Sequence, residues 1–361
     1  MDRVKILHIL YSGQGGLGTY FMNFVNSDVK KDFKHYAFFY GIEPLNKELE
    51  RFCVDHEIPF QYIQKKSKID IKTLSRISTF IGQHRIMYLL LHSFSLSLLT
   101  LRGLIKNWKI IAIDHTPFQV KTKLEYIFTF INHCFSYKMI YFYNGHFNQL
   151  KSAFPFLWAG RNSHIIPKTV DTHFFRPLYH NVSDSDFTIG ITARLIQGKR
   201  HDLIIKAIKI LKDQHNLIRL KIAGTGPKEN ELKEMVGQLG LESQVEFVGL
   251  LTREDLLKFY QSLNAYIHAS DGETICYSIM EAQACGLPIL ASDVEGINNY
   301  LTDGDDALLF QNELGPIIMQ LSELKKNKSL QLDLGQKARN LISKINDKHN
   351  NARQLKELLI K

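Results

Sequence analysis

Between Ala265 and Asp293 the chain reads AYIHASDGETICYSIMEAQACGLPILASD, and few folds accommodate it. Ala265 to Ser270 and Pro288 to Asp293 have the composition of short buried strands. Tyr277 to Ala284 is a run of tolerant helix formers closed by Gly286 and Pro288. Such a β-loop-α-β unit belongs to a parallel sheet, and ligands of parallel sheets bind beyond the carboxyl ends of the strands. Glu273 stands in the entry loop and Glu281 inside the helix, eight positions on. Backbone N–H groups of the first helical turn, at Thr274, Ile275, Cys276 and Tyr277, carry partial positive charge that suits a pyrophosphate. Carboxylates on either side can accept hydrogen bonds from sugar hydroxyls at one end and a ribose at the other. A plainer reading is also open: an acid near a helix N-terminus and a solvated glutamate on the helix surface.

Strand and helix patterns alternate through the rest of the chain. Val4 to Tyr11 reads as a buried strand feeding Gly13-Gln14-Gly15-Gly16-Leu17-Gly18 and then an apolar helix. The loop fits G-x-G-x-x-G, so nicotinamide or flavin binding stands as one reading, although the next strand, His35 to Tyr40, ends in Gly41 with Glu43 only beyond it. Gly15, Gly16 and Gly18 would equally let the backbone approach a sugar phosphate. Lys109 to Asp114 is a strand that delivers His115 to the sheet's carboxyl edge, where it can meet a sugar hydroxyl or cap local backbone. In the second half, Phe187 to Thr192 is a strand followed by Arg194 and Lys199, two cations at a helix start. There they oppose the helix dipole unless they clamp an anion. Gly224 and Gly226 follow the strand Arg219 to Ala223.

The charge is unevenly spread. Residues 1–180 hold 23 Lys and Arg against 12 Asp and Glu, whereas residues 181–361 hold 22 against 24. The basic first half points to an anionic partner such as a membrane surface or a lipid phosphate. Nucleic acid is disfavoured, because there is no zinc-ligand spacing, no aromatic RNA-binding motif and no base-reading basic helix. In the segment Leu124 to Tyr143, the stripe Leu124, Ile127, Phe128, Ile131 and Phe135 reads as core. Tyr126, Phe130, His133 and Tyr137, flanked by Lys121, Lys123 and Lys138, have the make-up of an interfacial membrane contact. Cys53, Cys134, Cys276 and Cys285 show no paired spacing and read as buried reduced thiols; with no apparent targeting segment, a cytoplasmic protein is expected. Asp184-Ser185-Asp186 has the form D-x-D but falls in a polar linker, so no metal site is expected.

The ordered set of E-x7-E, A-C-G-x-P, Arg194-Leu195 with Lys199, Gly224-x-Gly226-Pro227 and the D-H-T-P stretch at His115 resembles the retaining glycosyltransferases of family four, the glycosyl transferases group 1. Val170-Asp171 through Phe174 resembles the hinge pattern of that family, with Lys168-Thr169 in place of its usual Asn-Gly, and Cys276 stands where a glycine is usual. The resemblance implies an α/β, GT-B fold of two Rossmann-like parallel-sheet domains facing across a cleft. Residues 1–180 would form the acceptor-side domain, with a C-terminal helix, 345–361, packing back onto it, and 181–344 the donor-binding domain. It further implies sugar transfer, with retention of configuration and without a metal or other cofactor, from a nucleotide-diphosphate sugar, UDP-linked by preference. The acceptor would be a glycan or lipid-linked glycan of cell-surface polysaccharide synthesis, met at the inner face of the plasma membrane. Arg194 and Lys199 would hold the diphosphate with the Thr274–Tyr277 amides; Glu281 would hold ribose, Glu273 the sugar hydroxyls, and His115 would contact the sugar. Gly15, Gly16, Gly18, Gly224 and Gly226 would line the donor. The alternatives are a nucleotide-sugar epimerase of the same architecture and an inactive GT-B partner protein.

Overall fold

The computed structural model describes residues 3–13, 15–65, 71–93, 96–117, 121–153, 162–178, 187–345 and 350–360. Gln14 of the glycine loop and the linker 181–186 with its D-x-D lie outside the described residues. The chain forms two compact units, Met1–Thr169 with Lys348–Lys361, and Val170–Asp347.

The first unit is built on a seven-stranded parallel sheet. Its strands are β1 (Val4–Tyr11), β2 (Phe33–Gly41), β3 (Phe60–Gln64), β4 (Tyr88–Leu91), β5 (Lys109–Ile113), β6 (Lys138–Tyr141) and β7 (Ser163–Ile165), in the order β3-β2-β1-β4-β5-β6-β7. The intervening helices are α1 (Gly16–Ser27), α2 (Lys47–Asp55), α3 (Ile71–His84), α4 (Leu98–Lys106), α5 (Lys123–Phe135) and α6 (Asn144–Ala153). Both faces of β1 and β2 are covered: Leu7, Ile9 and Phe38 pack on one side, Leu10 and Phe39 on the other. That double burial explains why these strands read as almost unbroken apolar runs.

The second unit repeats the plan with six parallel strands, in the order β10-β9-β8-β11-β12-β13. Its elements are β8 (Thr188–Thr192), α7 (His201–Asp213), β9 (Arg219–Ala223), α8 (Glu229–Gln238), β10 (Val245–Gly249), α9 (Arg253–Gln261), β11 (Ala265–His268), α10 (Tyr277–Ala284), β12 (Ile289–Ser292), β13 (Leu308–Phe310), α11 (Leu314–Lys326) and α12 (Lys328–Ile345). The stripe Leu203, Ile204, Ala207, Ile208 and Leu211 buries α7 against the sheet. Strand order reverses between β8 and β11, so the loops leaving these two neighbours open a crevice at their carboxyl ends. The final helix, α13 (Asn350–Ile360), belongs to the first unit, where it packs on α1. There Lys356 pairs with Asp32 at 2.7 Å.

Helix α5 buries its expected core stripe only in part: Phe128 and Ile131 are half-buried. Leu124, Ile127 and Phe135 of the supposed core stripe are exposed, and Thr129 and Asn132 are buried instead. The cause lies beneath the helix. Lys121, expected at an interface, is fully buried; its Nζ donates to Asp114 Oδ1 at 2.8 Å and to Thr129 Oγ1 at 3.1 Å. Satisfying a buried ammonium takes precedence over burying a few methylenes. Cys134 on the same helix is exposed, unlike the other three cysteines.

Candidate active site

The residues expected to hold a donor in the second unit converge at the β8/β11 crevice. Backbone hydrogen bonds stitch the loop after β8 to the loop after β11: Arg200 N donates to Ala269 O at 3.1 Å, and Asp271 N to Gly198 O at 3.0 Å. This pairing brings the Lys199 ammonium onto Glu273 Oε1, where it forms an ion pair. Gly296 holds the Glu273 loop from the other side. With φ near +88° its α-carbon packs so closely that a Cβ would lie 1.7 Å from Glu273 O, so only glycine fits. Gly224 and Gly226 likewise abut the Ala193 and Leu195 carbonyls, and Leu195 N donates to Thr225 O at 3.0 Å. The backbone at Arg194 is thereby held against the β9 loop.

His268, which no sequence motif singles out, is a second side-chain partner of Glu273. His268 Nε2 lies 2.8 Å from Glu273 Oε1 and 3.5 Å from Cys276 Sγ, while its Nδ1 lies 3.2 Å from the Tyr266 hydroxyl. The period-two alternation of a strand was the available signal: Ala265, Ile267 and Ala269 fill the core, so Tyr266 and His268 must share the opposite face with α10. From His268 a buried hydrogen-bond chain continues. Tyr266 OH meets Thr192 Oγ1 at 3.2 Å, Thr192 Oγ1 meets Tyr260 OH at 2.9 Å, and Tyr260 OH donates to Glu281 Oε2 at 2.8 Å. The two glutamates of the E-x7-E pattern are thus the ends of one polar network. Glu281 is buried, not solvated on the surface of α10.

Charge in this network is strongly coupled. Burial alone would raise the Glu273 carboxyl, but the Lys199 ammonium and the His268 ring hold it far below the usual carboxylate range. Burial opposes protonation of His268, yet Cys276 and Glu273 beside it raise it to about 9. The Cys276 thiol is in turn lowered, because the His268 charge outweighs the effect of burial. His268, Glu273 and Cys276 place N, O and S donors within 4.8 Å of one another, a spacing a divalent ion can use. Lys199 supplies a counter-charge to the carboxylate of that trio.

A pH dependence follows. With its folded pKa above its ordinary value, His268 binds its proton more tightly in the folded chain; this stabilisation is complete below about 6.5 and is lost as the pH rises to about 9. Glu273 acts in the opposite sense, stabilising above about 4.5 and losing its contribution in acid. Cys276, also lowered, contributes with the same sign as Glu273 and partly offsets His268. Thermal unfolding midpoints are expected to fall as the pH rises from 6.5 toward 9, and His268→Asn should flatten that fall; Cys276→Ser, which removes the first cause of the raised imidazole, should move the fall to lower pH. An unchanged slope after His268→Asn would show that the imidazolium is not formed.

The remaining candidates belong to the first unit. Gly15 caps α1 with φ near +143°, and a Cβ there would meet nothing within 4 Å, so the loop leaves open space at the helix N-terminus. Gly16 opens the helix, and Gly18 packs on Leu49. Glu43 lies beside this loop, and a side chain at Gly13 would run into its carboxylate. His115, just beyond β5, ends a line of imidazoles: Asp28 Oδ2 to His35 Nε2 at 3.2 Å, His35 Nδ1 to His8 Nε2 at 3.1 Å, His8 Nδ1 to His92 Nε2 at 3.4 Å, and His92 Nδ1 to His115 Nε2 at 3.2 Å. Asp28 accepts N–H bonds from Asp32 and Phe33 through the same carboxylate. The direction in which each of these bonds is donated depends on the tautomer of each ring. Burial keeps His92 down at about 3, and His8 and His115 are lowered by the same cause.

The family model described as glycosyl transferases group 1 matches residues 179–341, the span that contains the β8/β11 crevice and both glutamates. Residues 179–341 belong to the glycosyl transferases group 1 family. In this glycosyltransferase region the chain is 30% identical over 137 residues to the phosphatidylinositol N-acetylglucosaminyltransferase gpi3 subunit of Schizosaccharomyces pombe, covering 38% of this chain and 30% of that protein. It is 26% identical over 132 residues to an alpha-monoglucosyldiacylglycerol synthase of Streptococcus pneumoniae, covering 37% of this chain and 30% of that protein. The match thus spans about a third of the length of these curated relatives. A crystal structure of Anabaena HepE in complex with UDP and glucose superposes with a TM-score of 0.83 at 16% identity, covering 99% of this chain and 100% of that one. The fold is GT-B, two Rossmann-like parallel-sheet units.

Proposed function

We propose that the chain is a retaining glycosyltransferase that moves a sugar from a nucleoside-diphosphate sugar, with UDP as the preferred carrier, to a glycan or lipid-linked glycan acceptor. The observation that carries this reading is the Lys199–Glu273–His268 cluster at the switch point of the second sheet, beside the N-terminus of α10. Arg194 and Lys199 neutralise the diphosphate as it leaves, and the first turn of α10 adds its partial charge. Glu273 accepts from sugar hydroxyls, with His268 keeping its carboxylate ionised and oriented; Glu281, fixed by Tyr260, accepts from ribose. In the first unit, His115 is the candidate to meet a sugar hydroxyl, and the Gly15-Gly16-Gly18 loop the candidate to approach a phosphate.

The chemistry then needs no protein nucleophile. An acceptor hydroxyl attacks the anomeric carbon from the face on which the diphosphate departs, the bond to the phosphate oxygen breaks, and that oxygen takes the hydroxyl proton. Two fixed cations and helix amides offset the developing charge without a metal. Support for a UDP carrier and a lipid-linked acceptor comes from HepE, whose structure holds UDP, and from relatives named for phosphatidylinositol and diacylglycerol chemistry.

Thermal unfolding against UDP, GDP, ADP and NAD tests the binding half of this reading. A ligand at a hundred times its dissociation constant adds about 2.7 kcal/mol, a rise of several degrees. One nucleoside diphosphate is expected to stabilise the wild type and to do much less for Arg194→Ala. Stabilisation by NAD alone would instead assign the binding to the glycine loop and Glu43.

A further inference from the structure

Helices α4 and α5 pack side by side on the first unit and carry an apolar outer surface. On α4, Leu101, Leu104 and Ile105 share one face and are 38, 59 and 83% exposed, whereas Leu99, Thr100 and Gly103 of the opposite face are buried. On α5, Leu124 and Ile127 are 48 and 55% exposed over the buried Thr129 and Asn132. Single exposed apolar residues are ordinary, but two contacting helices that both turn apolar residues outward have the make-up of a docking surface.

The surrounding charge selects the partner. Helix α4 carries Arg102 and Lys106 and no acid. Helix α5 begins with Lys123, and its one acid, Glu125, is engaged by Thr122 in a capping box. Where β5 and β6 begin, Lys109 Nζ lies 4.9 Å from the Tyr137 ring centre and 5.5 Å from that of Tyr88, and Lys138 Nζ lies 5.4 Å from that of Tyr137. Lysines interleaved with tyrosines around an apolar face match the boundary between water and acyl chains. A second copy of the chain fits less well, since a two-fold contact would set the same cations against each other.

We propose that the α4–α5 face docks on an anionic lipid bilayer. The leucines and isoleucines enter the headgroup boundary, and Arg102, Lys106 and Lys123 meet lipid phosphates. The contact is peripheral: among the described residues no helix is long and apolar enough to cross a membrane. It stands apart from the transfer chemistry, because vesicle binding is measured with neither donor nor acceptor present.

The experiment is co-sedimentation of the full chain with phosphatidylcholine vesicles, with and without phosphatidylglycerol, at low salt and at about 1 M salt. Wild type is compared with Ile105→Glu/Ile127→Glu and Lys106→Glu/Lys123→Glu, all four positions being exposed and so expected to keep the melting midpoint. Binding to phosphatidylglycerol vesicles at low salt, weakened about tenfold or more by either pair of substitutions, is the expected result. No binding to those vesicles, or equal binding by all three proteins, would overturn the proposal. So would a dimer in sedimentation velocity that Ile105→Glu/Ile127→Glu dissociates while vesicle binding is absent, which would assign the face to a second copy.

Discussion

Lys199→Ala is expected to lower kcat/KM for sugar transfer by about two to three orders of magnitude, the usual cost of removing one preorganised group that stabilises developing charge. The effect has two sources that act in the same direction. Lys199 forms the ion pair with Glu273, so without it the leaving diphosphate loses a counter-charge and the carboxylate loses its partner. His268, at 2.8 Å from Glu273 Oε1, is already engaged by that carboxylate. Lys199→Arg restores charge without the compact geometry and is expected to recover only part of the rate. Initial rates with saturating acceptor over a range of donor concentrations separate the two sources. A fall in kcat reports the lost transition-state charge, whereas a rise in KM alone would reduce Lys199 to a binding residue.

The largest stability effect should come from Asp114→Ala in the first unit. Its carboxylate faces Lys121 at 2.8 Å and the His146 ring at 3.3 Å, with all three side chains fully buried. Burial works against its ionisation, and His146 and Lys121 outweigh it, leaving the carboxyl lowered. Removing the anion strands a buried ammonium, which costs about 3–5 kcal/mol. For a unit of this size that is a drop in melting midpoint of roughly 10 °C. Asp114→Ala/Lys121→Met removes both charges and should recover most of the loss, because an apolar pair needs no counter-ion. A double variant as unstable as the single one would show that packing, not charge, holds the site together.

Where the candidate residues of the β8/β11 crevice stand in the fold was legible from residue types and spacing. Glu273, Lys199 and the glycines stand at strand ends in a parallel sheet, where periodicity and turn chemistry locate them. The second unit is also where the charge pattern opposed the helix dipole. His268 escaped because a histidine inside an apolar strand reads as an ordinary buried residue until its neighbours are known; only the alternation of AYIHA placed it beside Tyr266. The orientation of α5 escaped for a different reason. Its apolar period defines a face without saying which way it points, and the deciding contact, Lys121 on Asp114, joins a residue ahead of the helix to one at the end of a strand. The line from Asp28 to His115 joins side chains from several separate segments, and no local pattern announces it.

Retention of configuration is what distinguishes the transfer proposed for the Lys199–Glu273 site from displacement by a base on the opposite face of the sugar. The most direct measurement follows the anomeric proton of the sugar by NMR as purified chain, a UDP-sugar and an acceptor glycan react in the presence of a metal chelator, with Lys199→Ala alongside. The expected product keeps the anomeric configuration of the donor, and the variant forms it at least about a hundredfold more slowly than the wild type. An inverted product, or transfer that Lys199→Ala leaves untouched, would contradict this mechanism.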